Sequence, residues 1–215
     1  MTVPLLPTVQ HNLFNHYKGS IPPCFHPYIG HIKDVKGDGN CSFRAIAVGL
    51  GLHEMEWPHI RQELLGECNR HLAFWNTIDD VETRLVRNTL PWKGIQFAPA
   101  NKWLLMPFTG LMIASRWNVI CQVLSPQGCA TIFPMFTTAE DSLPHQTVTL
   151  VHVNNNHFIH LKLEGDYPMP TPSGCWRQPA RNTFAMSWEN MYIDRIARYN
   201  EIVSAYKTTE FQDLT

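Results

Sequence analysis

Residues 37–45 read Gly-Asp-Gly-Asn-Cys-Ser-Phe-Arg-Ala and place a cysteine between a glycine-rich turn and an apolar run. Because glycine takes positive φ at little steric cost, the two glycines before the cysteine predict a tight turn. The apolar run after Cys41 predicts a buried helix closed by Gly49 and Gly51. A helix N-terminus offers unpaired N–H groups and a partial positive charge, which favour a thiolate over a thiol. Cys41 is therefore a candidate nucleophile, although a free cysteine is more often a small buried apolar residue.

A nucleophilic thiol needs a general base, and His157 is the candidate among the eleven histidines. Because side chains alternate along a strand, His157 shares a face with Ile159, Leu161 and Leu163. We expect that apolar face to meet the core, where the Cys41 helix should lie. In that position His157 takes the thiol proton, or holds a thiolate–imidazolium pair, and then protonates a leaving amine.

Two motifs resemble those of a known enzyme family. The pattern Asp-Gly-Asn-Cys-x-Phe-Arg-Ala over residues 38–45 resembles the signature of the ovarian tumour (OTU) family of papain-like cysteine proteases, most of which cleave ubiquitin from proteins. The family also needs a C-terminal histidine followed by an aromatic residue on a strand, and His157-Phe158 supplies it. From Pro4 to about Ile202 the chain also resembles OTU-like proteins associated with plant Mutator-type transposons. This second resemblance lies in Tyr28–Ile32, Ile113–Arg116 and His157–Lys162.

The resemblance implies an α+β, papain-like OTU fold with helices packed on a small, mostly antiparallel sheet. It implies a thiol protease that hydrolyses the isopeptide bond after the C-terminal glycine of ubiquitin, with Cys41 as nucleophile and His157 as base. Ubiquitin or polyubiquitin chains are the expected partners. No cofactor is expected, and no metal, since the six cysteines form no Cys-x-x-Cys pair and no histidine pair has helical metal-ligand spacing.

The residue that orients the imidazole is less apparent. Many OTU relatives carry Asp or Asn two residues after the histidine, where this chain has Ile159. Asp38, three residues before the nucleophile, is the first candidate for this role, and Asn155, two residues before His157, is the second. An alternative role for Asp38 is a turn residue that bonds its own backbone. The predicted oxyanion hole consists of the backbone N–H groups of Asp38, Gly39, Asn40 and Cys41.

The 215 residues are enough for one domain with a full core. We divide them into an aromatic and proline-rich arm (1–30), an OTU-like catalytic domain (31–165) and a proline-rich segment with a C-terminal helix (166–215). Periodicity predicts helices from Cys41 and over 54–75, 79–86, 108–117 and 187–206, with an extended stretch at 31–35. Strands are predicted over 119–124, 130–133, 147–153 and 158–163. Four prolines predict an extended or loop-like conformation for 166–182.

Composition excludes several classes of function. The formal net charge of −1 gives no electrostatic basis for nucleic-acid binding. No apolar run reaches the ~20 residues of a membrane helix, and the first residues lack the basic and apolar regions of a secretory signal. The separated cysteines favour a reducing compartment, so we expect an intracellular protein of the cytoplasm or nucleus. The sequence does not indicate an oligomeric state.

Three alternatives stay open from the sequence. The first is a catalytically weak or inactive module that binds ubiquitin or a ubiquitin-like protein and derives from a transposon. The departure at Ile159 and the resemblance to transposon-associated proteins motivate it. The second is a protease for another ubiquitin-like modifier. The third is a DNA-binding role in transposition, for which the sequence offers no basic cluster or zinc motif.

Overall fold

A computed structural model describes residues 8–94 and 96–212. Its strands are β1 (Ile29–Lys33), β2 (Ile120–Leu124), β3 (Ala130–Ile132), β4 (Thr147–Val153) and β5 (His157–Leu163). They form one sheet in the order β1-β5-β4-β2-β3. The β2–β4 pair is parallel and the other neighbouring pairs are antiparallel. The structure therefore confirms the expected α+β class with a small, mostly antiparallel sheet.

Helices cover this sheet and extend beyond it. They are α1 (Thr8–Tyr17), α2 (Cys41–Gly49), α3 (Trp57–Arg70), α4 (Leu72–Ile78), α5 (Asp80–Thr89), α6 (Phe108–Trp117), α7 (Gly174–Ala180), α8 (Met186–Met191) and α9 (Ile193–Gln212). Short 3₁₀ turns lie at Pro23–Tyr28, Glu54–Glu56, Ala100–Lys102 and Glu140–Ser142. None of the helices in the described ranges is long and apolar enough to cross a membrane.

The helix from Cys41, the helix over 108–117 and all four predicted strands are confirmed to within a residue or two. The predicted helix over 54–75 is interrupted instead. It begins as a 3₁₀ turn, and its backbone breaks at His71 (φ −113°, ψ 29°), after which α4 buries Trp75 completely. The His71 ring packs on Phe136 at 4.5 Å between ring centroids, so a tertiary contact accompanies the break.

The prediction for 166–182 is wrong in its second half, because α7 forms there. Pro179 lies near the C-terminal end of α7, where its missing N–H costs little of the helix. Trp176 is fully buried and packs edge-on against Phe133 at 5.1 Å, so packing overrides the local proline signal. The predicted helix over 187–206 is also divided, by a break at Tyr192 between α8 and α9.

Each face of the sheet has its own hydrophobic cluster. On one face, Val148 and Leu150 of β4 pack with Cys41, Phe43 and Ile46 of α2, and α3 and α6 belong to the same cluster. On the other face, Ile159 and Leu161 of β5 pack with Tyr17, Phe25 and Tyr199, which come from the N-terminal segment and α9.

This arrangement corrects the strand-face argument for His157. The residues that share its face, Ile159 and Leu161, pack on the N-terminal segment and α9 rather than on α2. His157 instead lies at the first position of β5, beside the connection between β1 and α2. A Cβ added to Gly37, within that connection, would be 3.7 Å from the Cε1 and Nδ1 atoms of His157. Its position at the end of the strand, and not its face, therefore brings His157 to the start of α2.

Candidate active site

The turn before Cys41 is held in close contact with a neighbouring loop. Gly39 has φ +76°, and a Cβ there would lie 2.3 Å from the carbonyl oxygen of Ala98. The Ala98 N–H donates to the carbonyl of Asp38 at 2.8 Å, and the Trp103 indole N–H donates to the Ala98 carbonyl at 2.9 Å. Position 39 therefore requires glycine for both its conformation and its lack of a side chain. The turn delivers Cys41, only 6% exposed, as the first residue of α2.

A buried arginine of α3 holds this turn through hydrogen bonds to the Asn40 side chain. Arg61 of α3 is 2% exposed, and its Nε and Nη2 donate to Oδ1 of Asn40 at 3.0 and 2.8 Å. The same guanidinium donates to the carbonyls of Thr89 and Lys102 at 3.1 and 2.8 Å and lies 3.7 Å from the centre of the Phe43 ring. Burial lowers the pKa of Arg61 to about 10, partly offset by the Asp38 charge, so the group stays cationic near neutral pH.

Asp38 serves the turn itself. Its Oδ1 accepts from the backbone N–H of Asn40 at 3.1 Å and from Arg44 Nε at 3.2 Å, and its Oδ2 accepts from Arg44 Nη2 at 2.5 Å. Burial raises the pKa of Asp38, but the hydrogen bonds from Arg44 and Asn40 outweigh it and leave the pKa below its usual value. These contacts match the turn-forming role given above as the alternative for Asp38.

The carboxylate on the imidazole belongs to Asp34, which follows β1. His157 Nε2 donates to Asp34 Oδ1 at 2.8 Å, which leaves the other ring nitrogen for the Cys41 thiol. The hydrogen bond with Cys41 raises the pKa of His157 most, burial opposes it, and Asp34 adds to it, so that the pKa reaches about 9. Burial raises the pKa of Asp34, but the bonds from His157 and Tyr17 bring it below its usual value.

The two residues predicted to orient the imidazole lie elsewhere. Asp38 is engaged by Arg44, and Asn155 lies in the β4–β5 turn with φ +59°, where it lines the cleft. Sequence reasoning missed Asp34 because its contact with His157 spans 123 positions and depends on the pairing of β1 with β5. The signal that could have found it is an acidic residue directly after an extended segment that precedes the nucleophile turn.

The four amides predicted for the oxyanion hole divide into two pairs. The Asp38 N–H donates to the Lys36 carbonyl at 3.2 Å, and the Asn40 N–H donates to the Asp38 side chain. Within residues 8–94 and 96–212, the N–H groups of Gly39 and Cys41 have no acceptor. Two backbone donors, on either side of Asn40, are thus available to a developing oxyanion.

A cleft of about 300 Å³ opens beside Cys41. Part of its lining comes from the segment before α6, and part comes from β4, β5 and the turn between them. The first part consists of Trp103, Leu104 and Met106, and the second consists of His152, Asn155, Asn156 and Phe158. Val123 of β2 and Ser125 just after it also line the cleft. Among the described residues, no group of His, Cys, Asp and Glu side chains is arranged to hold a metal ion. The site therefore offers a thiol, an imidazole and a carboxylate beside an open cleft.

The close approach at Gly39 generates a stability prediction with a matched control. Gly39→Ala and Gly51→Ala both place a Cβ at positive φ, +76° and +80°, but only position 39 has a backbone oxygen in the way. We expect Gly51→Ala to lower the free energy of unfolding by about 1 kcal/mol, from backbone strain alone. Gly39→Ala should cost roughly 2 kcal/mol more, because the Ala98 loop must move. Urea unfolding of both variants measures the two free energies of unfolding. Equal losses of stability would contradict the prediction, because they would show that the loop at Ala98 moves at no energetic cost.

Among known proteins, the chain shows similarity only to solved structures. No family model matches the sequence, and no curated protein matches it. The chain is similar to the OTU domain of OTUD1, with 15% identity and a TM-score of 0.43 over 72% of this chain and 93% of that one. It is similar to the viral OTU domain protease of Farallon virus (19% identity, TM-score 0.46, 66% of this chain, 88% of that one). It is also similar to the viral OTU domain protease of Dera Ghazi Khan virus, with 15% identity and a TM-score of 0.44 over 66% of this chain and 85% of that one. At such identities the function has to be inferred from the chemistry of the site.

Proposed function

We propose that this chain is a cysteine-type deubiquitinase that hydrolyses the isopeptide bond after the C-terminal glycine of ubiquitin. The observation that carries the proposal is the linked set of Cys41, His157 and Asp34. The thiol begins a helix, interaction with that thiol raises the pKa of the imidazole, and the carboxylate accepts a hydrogen bond from Nε2 of the imidazole. The motifs that resemble the OTU signature contain the nucleophile and base of this set. We place its action on intracellular ubiquitin conjugates, in the cytoplasm or nucleus.

The chemistry follows from the geometry. His157 accepts the Cys41 proton, and the thiolate attacks the isopeptide carbonyl at the C-terminal glycine. The carbonyl oxygen gains negative charge toward the N–H groups of Gly39 and Cys41, and the imidazolium then protonates the leaving lysine amine. The thioester left on Cys41 is hydrolysed by a water that His157 deprotonates, which restores the free thiol. Asp34 holds the ring with one nitrogen toward the thiol throughout.

The alternative of an inactive binding module loses one of its two motivations, the departure at Ile159. Ile159 suggested that the imidazole lacks an orienting acceptor, yet Asp34 supplies one from a different part of the chain. A protease for another ubiquitin-like modifier uses the same three residues and differs only in what its outer surfaces bind. The relation to plant transposon-associated proteins stays a prediction from the sequence.

The direct test is labelling by ubiquitin that carries a C-terminal electrophile. Wild type should gain the mass of one ubiquitin, Cys41→Ala should gain none, and His157→Ala should react at least about 100-fold more slowly because the thiol loses its base. Cys129→Ala is the control, since that half-buried cysteine lies outside the site. Labelling that persists in Cys41→Ala would overturn the assignment of the nucleophile. Rapid alkylation of Cys41 by iodoacetamide without ubiquitin labelling would point to another modifier.

The assignment of Asp34 makes a prediction about pH. The leaving amine needs the imidazolium, so kcat/KM should fall as pH rises through the His157 pKa of about 9. Because the Asp34 carboxylate stabilises the charged ring, Asp34→Asn should move this alkaline limb to lower pH. Asp38→Asn should leave the limb in place, since Asp38 bonds Arg44 instead. A pH profile of each variant with a fluorogenic ubiquitin substrate shows which aspartate acts on the imidazole. If only Asp38→Asn displaced the alkaline limb, Asp38 and not Asp34 would be the orienting residue.

A further inference from the structure

The N-terminal helix α1 contacts the candidate active site through one side chain. Tyr17, its last residue, is 5% exposed, and its hydroxyl donates to Oδ2 of Asp34 at 2.7 Å. The other carboxylate oxygen, Oδ1, accepts from His157. The Asp34 carboxylate is therefore held at both oxygens, by the imidazole on one side and by the N-terminal helix on the other.

We propose that Tyr17 is a positioning residue of the active site, which sets the rotamer of Asp34 and through it the orientation of His157. This inference rests on the proposed function and adds a fourth member to its residue set. The N-terminal segment then completes the site in addition to packing on the domain.

Asp34 needs such a contact because of where it lies. It follows the last residue of β1, an outer strand of the sheet, and its side chain is 39% exposed. An exposed carboxylate with one partner can turn toward water, whereas hydrogen bonds at both oxygens fix the plane of the group. Burial and the neighbouring Asp34 charge raise the pKa of Tyr17, so its hydroxyl keeps the proton that it donates.

The helix that carries Tyr17 is fixed to the same strand. The Gln10 side chain accepts from the backbone N–H of Ile32 at 2.7 Å and donates to the Ile32 carbonyl at 3.1 Å. Tyr17 also packs in the cluster that contains Phe25 and Leu161. Because α1 is bound at Ile32 and at Asp34, two residues apart, docking of the helix and orientation of the carboxylate are coupled.

The test is a double-mutant cycle on hydrolysis of a fluorogenic ubiquitin substrate. Tyr17→Phe removes only the hydroxyl and should lower kcat about 2- to 10-fold, the range expected for one hydrogen bond. KM should not change, because Tyr17 does not line the cleft. In an Asp34→Asn background the same substitution should have little further effect, since its action passes through the carboxylate. Circular dichroism checks that each variant is folded.

Tyr199→Phe is the matched control. Tyr199 is buried in the same cluster, and its hydroxyl interacts with the Cys129 thiol, whereas the Asp34 oxygens accept from Tyr17 and His157, so kcat should be unchanged. A wild-type kcat in Tyr17→Phe, or an equal loss with and without Asp34, would overturn the inference.

The same variants keep the inference separate from the proposed function. If wild type does not hydrolyse ubiquitin, the proposed substrate is wrong, and the rate of Cys41 alkylation by iodoacetamide takes the place of kcat in the cycle. A coupled change of that rate in Tyr17→Phe and Asp34→Asn would still support the positioning role. Additive changes, or none, would overturn it.

Discussion

The position of the nucleophile turn depends on the hydrogen bonds of one buried group, the guanidinium of Arg61. It is surrounded by amide and carbonyl oxygens from three separate segments, at Asn40, Thr89 and Lys102, and by the face of Phe43. A buried charge is costly unless its hydrogen-bonding capacity is filled, so the three segments and the arginine determine one another's positions. Because Asn40 directly precedes the nucleophile, its hydrogen bonds with Arg61 also fix the position of Cys41.

Two pairs of oppositely charged side chains lie close to the nucleophile turn. Near Arg61, Asp38 of the turn pairs with Arg44 of α2, and Asp34 and His157 form a second pair at the end of β5. The first pair builds the turn, and the second pair prepares the imidazole. Two aspartates four positions apart thus have different tasks, which are set by the arginine or histidine that each one meets.

The sequence predicted well what depends on neighbouring residues. The helix that starts at Cys41 and the strands β2, β4 and β5 follow from glycine placement and from apolar periodicity, and the structure has them where expected. The break at His71 and the helix α7 were not predictable in this way, because aromatic packing on Phe136 and Phe133 accompanies them. The role of Asp34 depends on which strands pair, and a local pattern does not contain that information.

The argument from strand faces shows the same limit. Alternation correctly grouped His157 with Ile159 and Leu161, but it could not say which layer covers that face. The order of the strands and the path of the chain from β1 to α2 decide this. His157 therefore meets the nucleophile turn from the end of its strand, a position that periodicity alone does not distinguish.

The pairing of Gln10 with Ile32 has a consequence for how the molecule behaves among its own copies. An outer strand with unpaired N–H and C=O groups invites a strand from another chain. At β1 the Gln10 amide already occupies both groups of Ile32, and at β3 the backbone of Thr131 is bonded by Thr171 and Ser173. At these positions the two margins of the sheet are closed by the chain's own terminal segments, which protects the folded protein against edge-to-edge aggregation.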